Sequence, residues 1–149
     1  MKLAYKMEYT HPVRETTDIE MIPYTADFQQ RYKTLYNDCY RRMRTELDIW
    51  PYDYIQDDSF FAEGMDNVWL LVEDGELIGS VALKGEEIDD LLVDRRFRGR
   101  GYGRKILLWA LQNRTHEHAV LHVAAWNKRA MHLYETTGFT VTETIVIGQ

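Results

Sequence analysis

The stretch Val93-Asp94-Arg95-Arg96-Phe97-Arg98-Gly99-Arg100-Gly101-Tyr102-Gly103-Arg104 holds the residues of this chain best suited to chemistry. A strand-like run enters a glycine-rich turn, and a helical pattern opens at its end. Free backbone N–H groups and the helix dipole at such a junction make an anion site. Glycines let the backbone come close to a phosphate, and Arg96, Arg98, Arg100 and Arg104 add positive charge. A nucleotide-hydrolase P-loop needs Gly-x4-Gly-Lys-Ser/Thr. Here Gly99 and Gly103 are too close, and Lys105 is followed by Ile106, which offers no hydroxyl to magnesium. A dinucleotide fingerprint needs Gly-x-Gly-x-x-Gly near the start of a βαβ unit. The spacing here is Gly-x-Gly-x-Gly, behind a run of antiparallel strands.

A second group of residues could move protons. Glu86, Glu87, Asp89 and Asp90 crowd one strand, and alternation puts Glu87 and Asp89 on one face. They can be surface charges, a site for a substrate cation, or a base. Tyr134 can donate a proton or simply pack. Asn127 reads as a helix N-cap that can also touch a ligand. Cys39, the only cysteine, sits in a helical stripe with Phe28, Tyr32, Leu35, Tyr36 and Met43, so it reads as core. His116 and His118 fall in a turn without further metal ligands, and no metal is expected. His122 has no acid nearby in sequence, and Trp126 is either core or the wall of an acceptor pocket.

The elements that must position these residues follow from periodicity. Residues 1–17 read as an extra edge strand or an arm. A short strand spans Asp18–Tyr24. Thr25 caps a helix from Ala26 to Met43 or Leu47, whole or broken in two. Pro51 bars a helix across 48–66. Asn67–Glu73, Glu76–Leu83 and Glu87–Val93 form an antiparallel meander, with Asp74-Gly75 as a hairpin turn. A helix after Gly103 buries Ile106, Leu107, Ala110 and Leu111. A strand over His118–Ala125 follows, then a helix from Asn127 to Thr136 ended by Gly138, then a strand over Phe139–Ile147. The fold class is α/β (α+β): a mixed, mostly antiparallel central sheet flanked by helices, in one domain over 1–149.

Three segments in order resemble the GNAT superfamily of acetyltransferases. Arg98, Gly101 and Gly103 match its Arg/Gln-x-x-Gly-x-Gly/Ala pyrophosphate loop. Leu121-x-Val123-x-x-x-Asn127 is similar to its fifth strand and asparagine. Leu133-Tyr134-Glu135-x-x-Gly138-Phe139 is similar to its Leu-Tyr-x-x-x-Gly-Phe signature. The likeness covers residues 67–140 and is only topological before them. It implies splayed fourth and fifth strands with acetyl-CoA as cosubstrate between them. Backbone amides of Leu91, Leu92 and Val93 would polarise the thioester carbonyl. Amides of Arg98, Gly99, Arg100, Gly101, Tyr102, Gly103 and Arg104 would take the pyrophosphate, and Asn127 would contact the cosubstrate. Tyr134 would be the general acid. Glu87 matches a position where some members carry a catalytic glutamate, while water chains serve others.

The acceptor implied is a primary amine, with a small cationic one favoured by residues 48–66. That segment mixes Trp50, Tyr52, Tyr54, Phe60 and Phe61 with Asp53, Asp57 and Asp58, a combination that attracts organic cations. The same residues can equally be a satellite core with a solvated rim. A non-catalytic acyl-CoA sensor and a protein or peptide N-acetyltransferase are the rival readings. Net charge −6 argues against nucleic acid as a partner. No apolar run approaches the ~20 residues of a membrane helix, and no apolar signal region follows the N-terminal lysines. A cytoplasmic protein is expected, and the family likeness is compatible with a homodimer.

Overall fold

Asp74 and Gly75 both take left-handed backbone angles, φ 52° and 76°, as a two-residue hairpin turn requires. They join β3 (Val68–Glu73) to β4 (Glu76–Lys84). A second turn through Gly85 joins β4 to β5 (Glu87–Val93). The computed structural model describes residues 2–12 and 15–147. Ahead of β3, β2 shrinks to Ile22–Pro23, where Pro23 brings no N–H to the ladder. These four strands are antiparallel throughout.

The second half of the chain crosses over the sheet. α2 (Tyr102–Gln112) leads to β6 (Ala119–Ala124), which lies parallel to β5. α3 (Lys128–Thr137) then leads to β7 (Thr140–Val146). The N-terminal stretch supplies β1 (Leu3–Tyr9), and the sheet order is β2-β3-β4-β5-β6-β1-β7. The expected edge strand is therefore an interior one, paired antiparallel to β6 and to β7. Its alternation explains the place: Met7 and Tyr9 are buried, and Tyr5 packs on the same core.

Two cores lie on the two faces of the sheet. Leu71, Ile78 and Val81 face Ile106, Leu107, Ala110 and Leu111 of α2. Their chain neighbours Leu70, Leu77 and Ala82 face the other way, onto Tyr32 and Leu35 of α1 (Gln29–Glu46). A strand period of two divides adjacent residues in this way. α1 is one unbroken helix behind a short 3-10 turn, Ala26–Phe28; Thr25 caps that turn in extended geometry without a side-chain bond.

Residues 48–66 are strapped to α1. Asn37 bonds both the N–H and the C=O of buried Ile55, at 2.8 and 3.0 Å. Arg41 grips Asp53 through two bonds, 3.0 and 2.7 Å. Arg44 donates to the Pro51 carbonyl at 2.7 Å. Tyr54 and Phe60 pack tilted against Tyr36, and Phe61 stacks on Tyr24. Phe60 and Phe61 extend the core beneath α1, while Trp50 and Tyr54 are exposed.

Candidate active site

β5 carries a bulge. Ser80 pairs with Leu92 and Ala82 with Asp89, so Asp90 and Leu91 together oppose Val81. Asp90 takes φ 48°, a left-handed angle that Asp tolerates better than most residues. The extra residue inverts the alternation. Ile88 and Leu92 are four apart, which in a regular strand shares one face, yet Ile88 packs on the α2 side and Leu92 on the α1 side.

Beside the bulge the sheet opens. Glu87 pairs with Val120, the only register point between β5 and β6 among the described residues. Beyond it the two strands part, and a cleft of about 820 Å³ occupies the gap. It reaches from α1 on one face of the sheet to α2 and α3 on the other. Leu91, Leu92, Val93, Arg98, Gly99, Gly101, Tyr102, Gly103, Arg104, Asn127 and Tyr134 all line it.

The start of α2 faces this cleft. Gly101, at φ 83°, precedes the helix and offers no side-chain cap. The first helical bond is Lys105 N–H to the Gly101 carbonyl, 3.1 Å. The N–H groups of Tyr102, Gly103 and Arg104 therefore find no acceptor within the helix. A Cβ on Gly103 would meet Leu133 and Val93 at 3.6 and 3.8 Å, ordinary van der Waals contact. Arg98 crosses to α1, donating to the Val93 carbonyl at 3.2 Å and to Cys39 Sγ at 3.4 Å. Burial pushes the Cys39 thiol up, against the pull of Arg98, which makes it a poor nucleophile. Arg100 is the one residue of 98–104 that does not line the cleft; it lies over the ring of Phe97, which does, at 5.5 Å.

Tyr134 projects from α3 into the cleft, 6.1 Å from Phe139 between ring centres. Burial, and then the charge of Asp89, push its hydroxyl up to about 12, so it keeps its proton across neutral pH. Asn127 caps α3, its Oδ1 accepting from the Ala130 N–H at 3.1 Å.

The acids separate into distinct roles. Glu87 does not line the cleft; it stands at the closed end of the splay, its Oε1 3.7 Å from Nδ1 of His122. His122 does line the cleft, and so do Asp89 and Asp90. Asp89 pairs with Lys84 at 3.1 Å. Asp90 accepts a 2.6 Å bond from Tyr40. Burial first, and the charge of Asp89 next, hold the Asp90 carboxyl above its ordinary range.

Among the lining residues, Tyr40 and Arg42 carry no signal in the sequence, while Asp90 and His122 are named there without the partners the fold gives them. Asp90 and Tyr40 are brought together only by the bulge. His122 finds its acid across the sheet and not along the chain. Arg42, from α1, lies over Trp126 at 5.7 Å from the ring centre. Of the acids of 48–66, Asp53 pairs with Arg41, and Asp57 caps a 3-10 turn through Ser59. None of that segment lines the cleft.

A family model described as Acetyltransferase (GNAT) family matches residues 29–139. The chain belongs to the GNAT acetyltransferase family. Two solved structures share its fold at low identity. An N-acetyltransferase from Staphylococcus aureus Mu50 aligns with TM-score 0.69 and 13% identity, over 86% of this chain and 94% of that one. A GNAT acetyltransferase from Colwellia psychrerythraea gives TM-score 0.69 and 13% identity, over 95% and 53%. In sequence, the chain is similar to the N-acetylaspartate synthetase of Xenopus tropicalis, 34% identical over 65% of this chain and 37% of that protein. It is 37% identical to the Homo sapiens N-acetylaspartate synthetase over 48% of this chain and 26% of that one. The chain thus spans about a third of the length of these relatives. None of its described helices is long and apolar enough to cross a membrane.

Proposed function

We propose that this GNAT chain is an acetyl-CoA-dependent N-acetyltransferase acting on a primary amine by direct attack in a ternary complex. The observation that carries the reading is the opening between β5 and β6, which joins the uncapped start of α2 to Tyr134 and to the carboxylates of β5. Acetyl-CoA supplies the activated acyl group. The N–H groups of Tyr102, Gly103 and Arg104 hold its phosphates, with Arg98, Gly99, Arg100 and Gly101 in the loop before them. Amides of Leu91, Leu92 and Val93 face the carbonyl of the acyl group. Asn127 holds the start of α3 against the cosubstrate. Tyr134, still protonated at neutral pH, is the acid for the departing thiolate.

The base must take a proton from a substrate ammonium near pKa 10. We assign it to Glu87 acting with His122, because the imidazole reaches the cleft where the carboxylate does not. The name of the relatives specifies an N-acetylated amino acid, and a small amine of that kind is the acceptor class taken for this chain. The ammonium of any cationic acceptor would be met by Asp89 and Asp90 in place of the 48–66 acids. The same reading has the enzyme in the cytoplasm, without metal or nucleic acid, and admits a homodimer.

The test is thermal melting with acetyl-CoA, followed by thiol release over a panel of amines. Saturating acetyl-CoA raises the melting temperature if the reading is right. Gly101→Glu, which puts a carboxylate at the mouth of the phosphate site, removes that rise. A rise with no thiol release from any amine favours a binding module, and no rise at all overturns the reading.

A further inference from the structure

The α1 side of the cleft holds two groups that the acetyl-transfer reading leaves without work. Trp126 follows β6, and its indole Nε1 is buried with no hydrogen-bond partner among the described residues. A buried donor left unpaired is costly, and in a native structure it asks for an explanation. Arg42 lies over the same indole at 5.7 Å. Other arginines of this region are engaged: Arg41 with Asp53, Arg44 with the Pro51 carbonyl, and Arg95 with Asp38. Arg42 has no carboxylate within ion-pair distance among the described residues, and Asp38, four residues earlier on the same helix, is taken by Arg95.

Both groups line the cleft that Tyr134 and Asp90 line. They enter it from the α1 side, whereas the uncapped N–H groups belong to α2, on the opposite face of the sheet. A guanidinium and an indole N–H are donors only, so the ligand group between them is an acceptor, and beside a cation it is an anion. Across the cleft, β5 presents Asp89 and Asp90. A cation site thus faces an anion site over the splay, and the ligand that satisfies both is a zwitterion.

We propose that Arg42 and Trp126 form a carboxylate subsite, so that the acceptor is a free α-amino acid. Its carboxylate lies between the guanidinium and the indole N–H, and its amino group lies toward β5 and the acyl carbonyl. The assignment rests on the acetyltransferase reading above and adds to it the chemistry at the far end of the acceptor.

The experiment compares initial rates for an α-amino acid and for its amide, with alanine, phenylalanine and aspartate as the acids and their α-amides as neutral partners. Wild type is expected to favour each acid by at least about tenfold in kcat/KM. Arg42→Ala is expected to raise KM for the acids roughly ten- to a hundredfold and to bring the acid-to-amide ratio toward one. Arg42→Lys keeps the charge and recovers part of the preference. Trp126→Phe keeps the ring and loses the donor, and weakens the preference by a few-fold. Wild type that prefers the amides, or an Arg42→Ala enzyme with the wild-type ratio, overturns the subsite while acetyl transfer stands. If acetyl-CoA fails to bind and no amine is acetylated, the reading beneath it falls and the subsite with it.

Discussion

Nδ1 of His122 lies 3.7 Å from Oε1 of Glu87, beside the Glu87–Val120 register point where β5 and β6 pair. The contact turns the other ring nitrogen away from the glutamate. It also links an acid outside the cleft to a ring that lines it. If the two act as one base, His122→Gln and Glu87→Gln should each lower kcat on the order of ten- to a thousandfold. The double variant should be little worse than the worse single one, since residues that act as a unit are not additive. Steady-state rates across pH check this, and unchanged rising limbs in both single variants would remove the pair from the mechanism.

Tyr134→Phe keeps the ring against Phe139 and removes the proton. Because burial pushes the hydroxyl up to about 12, the wild-type group is an acid at every pH near neutrality. The variant is expected to lose about ten- to a thousandfold in kcat while KM for acetyl-CoA changes little. Turnover equal to wild type would return Tyr134 to a packing role.

Gly79 lies opposite Val93, where β4 supports the open end of β5. A Cβ there would sit 2.4 Å from the Leu92 carbonyl oxygen and 2.8 Å from Cδ1 of Ile106. The first of these is backbone and cannot swing aside. Gly79→Ala is expected to cost about 1–3 kcal/mol, or roughly 3–10 °C in melting temperature for a domain of this size. Melting curves of the apo protein decide it.

Asp90 gives a pH dependence with a definite sign. Its carboxyl titrates above the ordinary 3.8 in the folded protein. The folded state therefore binds the proton more tightly than the unfolded one. Stability from this group is fully present below the ordinary value and is lost as pH rises through the raised one. Asp90→Asn has no such loss. The melting temperature of Asp90→Asn minus that of wild type should grow, on the order of a few °C, between pH 4 and pH 7. A difference that stays flat or shrinks would contradict the burial of this carboxyl.

The site was legible wherever it depends on neighbours in the chain. The glycines before α2, the Asn127 cap and Tyr134 on the inner face of α3 follow from local spacing, and they meet in one cleft. The meander was legible from its turns, such as Asp74-Gly75. What depends on register was not. A one-residue bulge redirects Asp90 to Tyr40, and no alternation rule announces an extra residue. His122 meets Glu87 only through a cross-strand contact. The 48–66 aromatics left two readings open because composition cannot tell a ligand wall from a satellite core. The straps from Asn37, Arg41 and Arg44, each reaching out from α1, hold the segment against that helix. Residues 2–9 concealed an interior strand because their partners lie more than a hundred positions away.

That strand has a consequence for how the chain is made. β1 leaves the ribosome ahead of β2 to β5, yet its two neighbours, β6 and β7, follow all of these. Ala4 must wait for Ala124 on one side and Ile145 on the other. Until then a seven-residue strand has both edges bare, with Met7 and Tyr9 uncovered. Such a strand is a template for pairing with another chain. Lys6 and Glu8, alternating with those apolar residues, keep charge on the waiting strand. Synthesis therefore runs against the spatial order of the sheet, and closure between β6 and β7 is an event of high contact order, left to the end.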